Sequence, residues 1–312
     1  MNNRKIKIGI PKALLYYKYQ TLWTTFFKEL GCTIIESPNT NNQILEEGKK
    51  IAVDETCLSL KIYLGHIDYL KDKCDQIVVP RIVSLKRGEQ LCTNFSSLYD
   101  IVKNSFDGIN LIEYNVDVEK RKYQLFGFLK MGKQLNKKGI ESFIAYQKAK
   151  RKFKKQQMQR LETEANKLEK RGMKILIVSH PYNTYDNCVG QNVTSILEEL
   201  DVTVIHADCF QHKNITSLAE SISPNLYWTY NKELVGAIKY CEDYIDGIIT
   251  LSTFPCGPDS LVNELISKHF GSIPCANIII DELNENAGLQ TRIESFVDIL
   301  KERRKKYGRK NH

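Results

Sequence analysis

Short β-branched runs recur along this chain, and most are followed by a segment with helical periodicity. Lys5–Pro11, Cys32–Ser37 and Gln76–Pro80 read as strands in the first part; Met173–Ser179, Val202–His206, Gly247–Ser252 and Ile273–Ile280 do so in the second. The spacing predicts helices over Leu14–Leu30, 43–50 and 56–70, then over 190–200, 232–244 and 289–301, with Gly31 closing the first. Strands alternating with helices specify parallel sheets with crossover helices. Each part opens with a strand, a proline-containing turn, a helix and a strand, as a distant internal duplication would. The expected fold is therefore α/β, with two Rossmann-like lobes of parallel sheet.

Charge divides the chain further. Residues 118–172 hold 17 Lys and Arg against 5 Asp and Glu, and residues 301–312 hold 7 against 1. The remainder has 21 basic and 31 acidic residues. Residues 141–171 contain neither Gly nor Pro, and Phe143, Tyr146, Ala149, Phe153, Leu161, Ala165 and Leu168 trace a narrow apolar stripe. These patterns place an N-terminal lobe at 1–117, a basic helical connector at 118–172, a C-terminal lobe at 173–301 and a basic tail at 302–312. Aromatics near helical spacing suit packing better than a base-stacking platform, so a nucleic-acid partner is not expected. No apolar run has the length of a membrane span, and the first residues lead directly into a strand pattern. A soluble cytoplasmic protein is expected.

Nine cysteines without a C-x-x-C pair argue against a zinc ribbon, a thioredoxin motif or, in a reducing compartment, a disulfide framework. Six have ordinary settings at strand ends, on a helix or in a loop: Cys32, Cys74, Cys188, Cys209, Cys241 and Cys275. Three stand apart. Cys57 in VDETCL opens a helix, Cys92 in RGEQLCTN lies in a polar irregular stretch, and Cys256 in FPCGPDS lies between two prolines just before a helix. Helix N-termini favour a thiolate, as a reactive thiol or a cluster ligand requires. In open α/β sheets ligands bind beyond the carboxyl ends of the strands. Lys12, Arg81, His180 and Tyr182 fall there with Cys256. Each also has an ordinary reading: Lys12 as a surface lysine, Arg81 as a structural ion pair, His180 as a turn residue.

IGIPKALLYYKYQTLWTTFFKELG, VDETCLSLKIYLGHI, VPRIVSLKRGEQLC, SHPYN, FPCGPDSL and DELNENAGLQTRIESFVD together resemble the acyl-CoA dehydratase activase-related proteins. These are relatives of the 2-hydroxyacyl-CoA dehydratase D-component family. The resemblance covers nearly the whole chain. It implies a [4Fe–4S] cluster, or a double-cubane cluster, held by Cys57, Cys92 and Cys256 in the interlobe cleft with one iron open to exchange. It also implies an ATP-dependent activase that delivers a low-potential electron, and a small substrate that the cluster reduces. Lys12, Arg81, His180 and Asp259 would then surround the cluster, with Glu282 and Glu285 handling protons after the last strand. A homodimer sharing a larger cluster fits the same resemblance. Against it stands a non-enzymatic scaffold with inert cysteines, whose basic segment docks a partner. A thiol enzyme using Cys256 alone is the third class.

Overall fold

The computed structural model describes residues 4–211, 213–282 and 287–307. In chain order its first elements are β1 (Lys7–Ile10), α1 (Tyr16–Glu29), β2 (Thr33–Glu36), α2 (Asn42–Ile51), α3 (Leu58–Leu70) and β3 (Gln76–Ser84). There follow α4 (Thr93–Ser105), β4 (Leu111–Asp117), α5 (Gln124–Gln134), α6 (Gly139–Leu168), β5 (Met173–Val178), α7 (Pro181–Thr184), α8 (Gln191–Glu199) and β6 (Val202–His206). After a short 3-10 turn come α9 (Lys213–Ile222), α10 (Thr229–Cys241), β7 (Gly247–Thr253), α11 (Gly257–His269), β8 (Cys275–Ile280) and α12 (Ala287–Tyr307).

The strands form two four-stranded sheets, in the orders β2-β1-β3-β4 and β6-β5-β7-β8, with every pairing parallel. The α/β reading with two parallel sheets holds. Central strands are buried along nearly their whole length: β5 and β7 have no exposed residue. That is the signature of parallel strands covered on both faces, and it explains why these runs read as continuous rather than alternating. The two sheet orders are the same, so β1 corresponds to β5, β2 to β6, β3 to β7 and β4 to β8. Under this correspondence Cys92, at the head of the helix after β3, matches Cys256, at the head of the helix after β7.

The chain divides into two compact units, residues Met1–Gln159 with Tyr227–Tyr230, and residues Arg160–Leu226 with Asn231–His312. The basic stretch 118–172 supplies α5 and the first part of α6 to one unit and the end of α6 to the other.

In the first unit, α1 buries Tyr16, Tyr19, Leu22, Trp23, Phe26 and Phe27, spaced at three and four as an amphipathic helix requires. Gly31, with φ of 78°, closes it in the left-handed region. Asn41 caps α2 by accepting the Ile44 N–H at 3.1 Å. On α6 the inward stripe is Ser142, Ala145, Tyr146 and Ala149, whereas Phe143 faces outward at 40% exposure. The reason is steric. A Cβ added to Gly132 of α5 would lie 1.9 Å from Ser142 Oγ, so the two helices meet where only small residues fit.

In the second unit, the end of α6 is tied down by charge. Arg160 donates to Tyr185 Oη at 2.6 Å and to Asp208 Oδ2 at 3.0 Å, while Tyr185 donates to Asp208 Oδ1 at 2.9 Å. Glu164 accepts the His206 backbone N–H at 2.9 Å and the Lys167 ammonium at 2.7 Å.

Helices α2 and α3 approach backbone to backbone at two glycines. A Cβ on Gly48 would stand 1.9 Å from the Lys61 carbonyl oxygen, and one on Gly65 1.9 Å from that of Ile44. Backbone cannot move aside as a side-chain tip can. Gly48→Ala is therefore expected to lower the free energy of unfolding by about 3 kcal/mol, at the upper end of overpacking costs. Gly139→Ala, where nothing lies within 4 Å, serves as the neutral control. Urea unfolding followed by circular dichroism checks both.

Candidate functional site

In each sheet the chain runs outward from a central strand in one direction, then returns to build the other side. The reversal lies between β1 and β3 in the first unit and between β5 and β7 in the second. Loops leaving adjacent strands in opposite directions open a crevice at such a point, where α/β proteins bind ligands.

At the second unit's reversal point, β5 delivers His180 and β7 delivers Cys256 and Asp259. Cys256 is the N-cap residue of α11, and Pro258 occupies the first turn. Asp259 stands in that first turn too, but its side chain turns to tertiary partners. His180 Nε2 lies 2.8 Å from Asp259 Oδ1, and Asn231 Nδ2 donates to the same oxygen at 3.1 Å. His180 is 3% exposed and Asp259 7%. The His180 ring stacks on Tyr182 at 5.1 Å between centroids. Burial raises the Asp259 pKa, but His180, a hydrogen bond from the Cys256 thiol and the Asn231 amide together outweigh it and hold the carboxyl below its usual range. The group is thus an ionised carboxylate in a dry setting, with Oδ1 held by His180 and Asn231.

At the first unit's reversal point, Lys12 follows β1. Its backbone N–H donates to Ser37 Oγ at 2.8 Å and its ammonium bonds to Asn39 Oδ1. Cys57 is the N-cap residue of α3 and Cys92 that of α4, and neither side chain caps its own helix. Asn94, in the first turn of α4, donates from Nδ2 to Cys57 Sγ at 3.4 Å, which joins the heads of the two helices. Arg81 is committed within the unit. Its guanidinium makes two bonds to Asp100, at 2.5 and 2.6 Å, and a third to Glu113 at 3.2 Å. It acts on the site only through α4, the helix that Cys92 heads.

Cys57, Cys92 and Cys256 are half-buried. Burial pushes up the thiols of Cys32, Cys74, Cys188, Cys209 and Cys241, Cys74 to about 11 and Cys209 to about 12. Helix-capping positions suit cluster ligands, because unpaired backbone N–H groups there can hydrogen-bond to sulfur. Cys57 and Cys92 belong to the first unit and Cys256 to the second. Among the described residues, no three His, Cys, Asp or Glu side chains are grouped to hold a metal ion. Glu282 is exposed in the turn after β8, and Glu285 lies outside the described residues.

Sequence reasoning missed Asn94, Asn231 and His66. Asn94 lies two residues from Cys92, and its neighbourhood was the available signal. Asn231 had none, since an asparagine within α10 reads as a surface residue until the fold turns it inward. His66 sits in YLGHIDYL, and that apolar setting marks a buried position.

Comparison with known proteins gives one family. The family described as CoA enzyme activase uncharacterised domain matches residues 7–210. Among curated proteins none matches. Among solved structures, the substrate-binding protein FpvC of Pseudomonas aeruginosa with Ni2+ is 11% identical, with 96% of each chain covered and a TM-score of 0.31. A Zn(II)-bound variant of AdcAII of Streptococcus pneumoniae is 12% identical, with 96% of this chain and 98% of that one covered and a TM-score of 0.29. ZnuA is 10% identical, with 96% and 99% covered and a TM-score of 0.29. Likeness at these scores carries no argument about what the chain binds.

His66 has a consequence that can be measured. It is fully buried on α3, with Nε2 3.0 Å from Thr40 Oγ1 and Nδ1 without a hydrogen-bond partner. Burial, and secondly the Lys12 ammonium, lower its pKa to about 3. An unfolded imidazole titrates near 6.5. Below that pH the unfolded chain gains a proton that the folded chain refuses, so stability is complete above about pH 6.5 and falls progressively toward pH 3. Between pH 7.5 and pH 5 this one group removes about 2 kcal/mol. Urea unfolding at both values is expected to show that loss in the wild type, and a difference smaller by the same amount in His66→Leu, whatever the variant's absolute stability.

Proposed function

The chain belongs to the CoA enzyme activase uncharacterised domain family, and from that membership we propose that it is an iron–sulfur redox component, with Cys57, Cys92 and Cys256 as the cluster ligands. The observation that carries this reading is positional. Of nine cysteines, these three are N-cap residues of helices, namely α3, α4 and α11. Asn94 already directs an amide at Cys57, the kind of bond to sulfur that tunes a cluster. When bound, a [4Fe–4S] cluster supplies one-electron chemistry at low potential.

The chain's own residues supply placement. Arg81 joins β3 to α4 through Asp100 and so fixes the helix that carries Cys92. Pro258 stiffens the turn that carries Cys256. Lys12 places a cation after β1 that offsets the charge of an anionic centre. The partner in this reading is an ATP-dependent activase that provides the electron, and the acceptor is a small substrate.

A second reading has its own support. Cys256 heads α11, and the buried His180–Asp259 pair lies in the same unit, so a reactive thiol at Cys256 alone is the alternative. Serine variants separate the two. Anaerobic reconstitution of the wild type is expected to give a brown protein with about four irons and matching sulfide per chain. Cys57→Ser, Cys92→Ser and Cys256→Ser are each expected to lose most of that iron, while Cys241→Ser retains it. A wild type that stays colourless and iron-free after reconstitution overturns the cluster reading. A thiol activity abolished by Cys256→Ser and untouched by Cys57→Ser establishes the second.

A further inference from the structure

The basic stretch along α6 has no part in the chemistry at the strand exits. Between Glu141 and Glu162 it carries seven Lys and Arg and no Asp or Glu. Lysines elsewhere take a carboxylate three or four residues away: Lys49 lies 3.0 Å from Glu46, Lys71 2.6 Å from Asp68 and Lys268 3.2 Å from Glu264. On α6, Lys148 reaches Glu29 of α1. Arg151, Lys152, Lys154 and Lys155 are exposed, and among the described residues none of their side chains makes an ion pair or a hydrogen bond. A helix face built only to be solvated would alternate in sign.

Apolar side chains share this face. Ile140 is 63% exposed, Ile144 49% and Met158 61%. Ile140, Ile144, Arg151, Lys155 and Met158 recur at helical spacing and so form one line, opposite the buried Ser142, Ala145, Tyr146 and Ala149. Phe143, also exposed, borders it. The line is about 27 Å long and lies within the first unit, where the buried stripe fixes which side of α6 faces out.

Composition selects the occupant. From Glu141 to Met158, Lys outnumbers Arg five to one. Protein interfaces are depleted in Lys and enriched in Arg, whose planar fork suits fixed partners. Ammonium groups on flexible stems suit a fluid layer of anionic headgroups instead. A nucleic acid would use the cations but leave Ile140, Ile144 and Met158 in water. A second copy set against the same face would oppose cation to cation. A bilayer interface accepts both kinds of side chain, the apolar ones entering the acyl boundary while Lys stems reach back to the phosphates. No described helix is long and apolar enough to cross a membrane, so the contact is with its surface.

We propose that the outward face of α6, from Ile140 to Met158, is a docking surface for an anionic lipid bilayer: Arg151, Lys152, Lys154 and Lys155 meet headgroup phosphates, and Ile140, Phe143 and Ile144 enter the interface beside them. This contact is independent of any cluster, since none of these residues belongs to a strand exit.

Co-sedimentation of the full-length protein with vesicles tests it. Vesicles of phosphatidylcholine with about 30 mol% phosphatidylglycerol are expected to take up the protein at least about tenfold more strongly than pure phosphatidylcholine at about 0.1 M salt. Replacing Arg151, Lys152, Lys154 and Lys155 together by Gln should weaken uptake about a hundredfold or more, at about fivefold for each charge. Ile140→Ser with Ile144→Ser should weaken it about tenfold with every charge kept. The same four-charge loss at Lys305, Lys306, Arg309 and Lys310 should leave uptake within about threefold of the wild type. Absence of uptake by the anionic vesicles overturns the proposal, as does equal uptake by both compositions. It also falls if the four tail substitutions, and not those on α6, abolish uptake. Uptake unchanged by the serine pair, together with equal affinity for double-stranded DNA, assigns the face to nucleic acid and overturns it as well.

Discussion

Parallel strand pairing in the order second, first, third, fourth is the constraint from which the rest of this molecule follows. A parallel pair cannot be closed by a tight turn, so a crossover must carry the chain back over a face of the sheet. When the first strand lies beside the third, the crossovers leave in opposite directions and the strand exits gather at one edge. Both sheets obey this order. Each places a loop cysteine at the head of the helix that follows its third strand, Cys92 in one and Cys256 in the other. The shared placement follows from topology alone, with no direct contact needed to explain it.

The two reversal points are furnished differently. The first is basic and polar, with Lys12 bonded to Ser37 and Asn39 and with Asn94 directed at Cys57. The second is buried and anionic at its centre, with Asp259 held by an imidazole and an amide. Two sheets of one strand order thus carry different residues at their reversal points. A buried carboxylate is costly to maintain, because an ion in a dry setting is tolerated only where partners meet it. That cost marks the second site as a place where something other than stability set the choice of residues.

Much of the frame was legible in the residues. The β-branched runs at Met173–Ser179 and Gly247–Ser252 became β5 and β7 almost to the residue, because a strand buried on both faces must be apolar throughout. The helix after Cys92 and the strand after it were not read. Phe95, Leu98 and Val102 carry the inward face of α4, but Ser and Asn dilute it. Leu111–Asp117 does alternate, with Ile112, Tyr114 and Val116 buried and Glu113 and Asn115 on the other face, as an edge strand of one-sided burial shows, and that signal was passed over. At the site, the distinctive cysteines and His180 were visible from position alone. Their partners were not: Asn231 reaches Asp259 only through the packing of α10, and no local pattern encodes a contact between residues so far apart. Arg81 was visible as a charge at a strand exit, yet its ion pair with Asp100 depended on α4, the element that went unread.

Four residues from the second half of the chain, Tyr227–Tyr230, belong to the first unit. Gln90 forms a β-bridge with Trp228, Tyr19 and Tyr230 meet through their hydroxyls at 3.1 Å, and Phe95 stacks edge-on against Tyr230. During synthesis, the ribosome must therefore release most of the polypeptide before the amino-terminal half can finish its own packing. Cutting the gene at the end of residue 159 would yield a fragment missing part of its interior, so the amino-terminal half is not a self-sufficient cassette for shuffling onto other proteins.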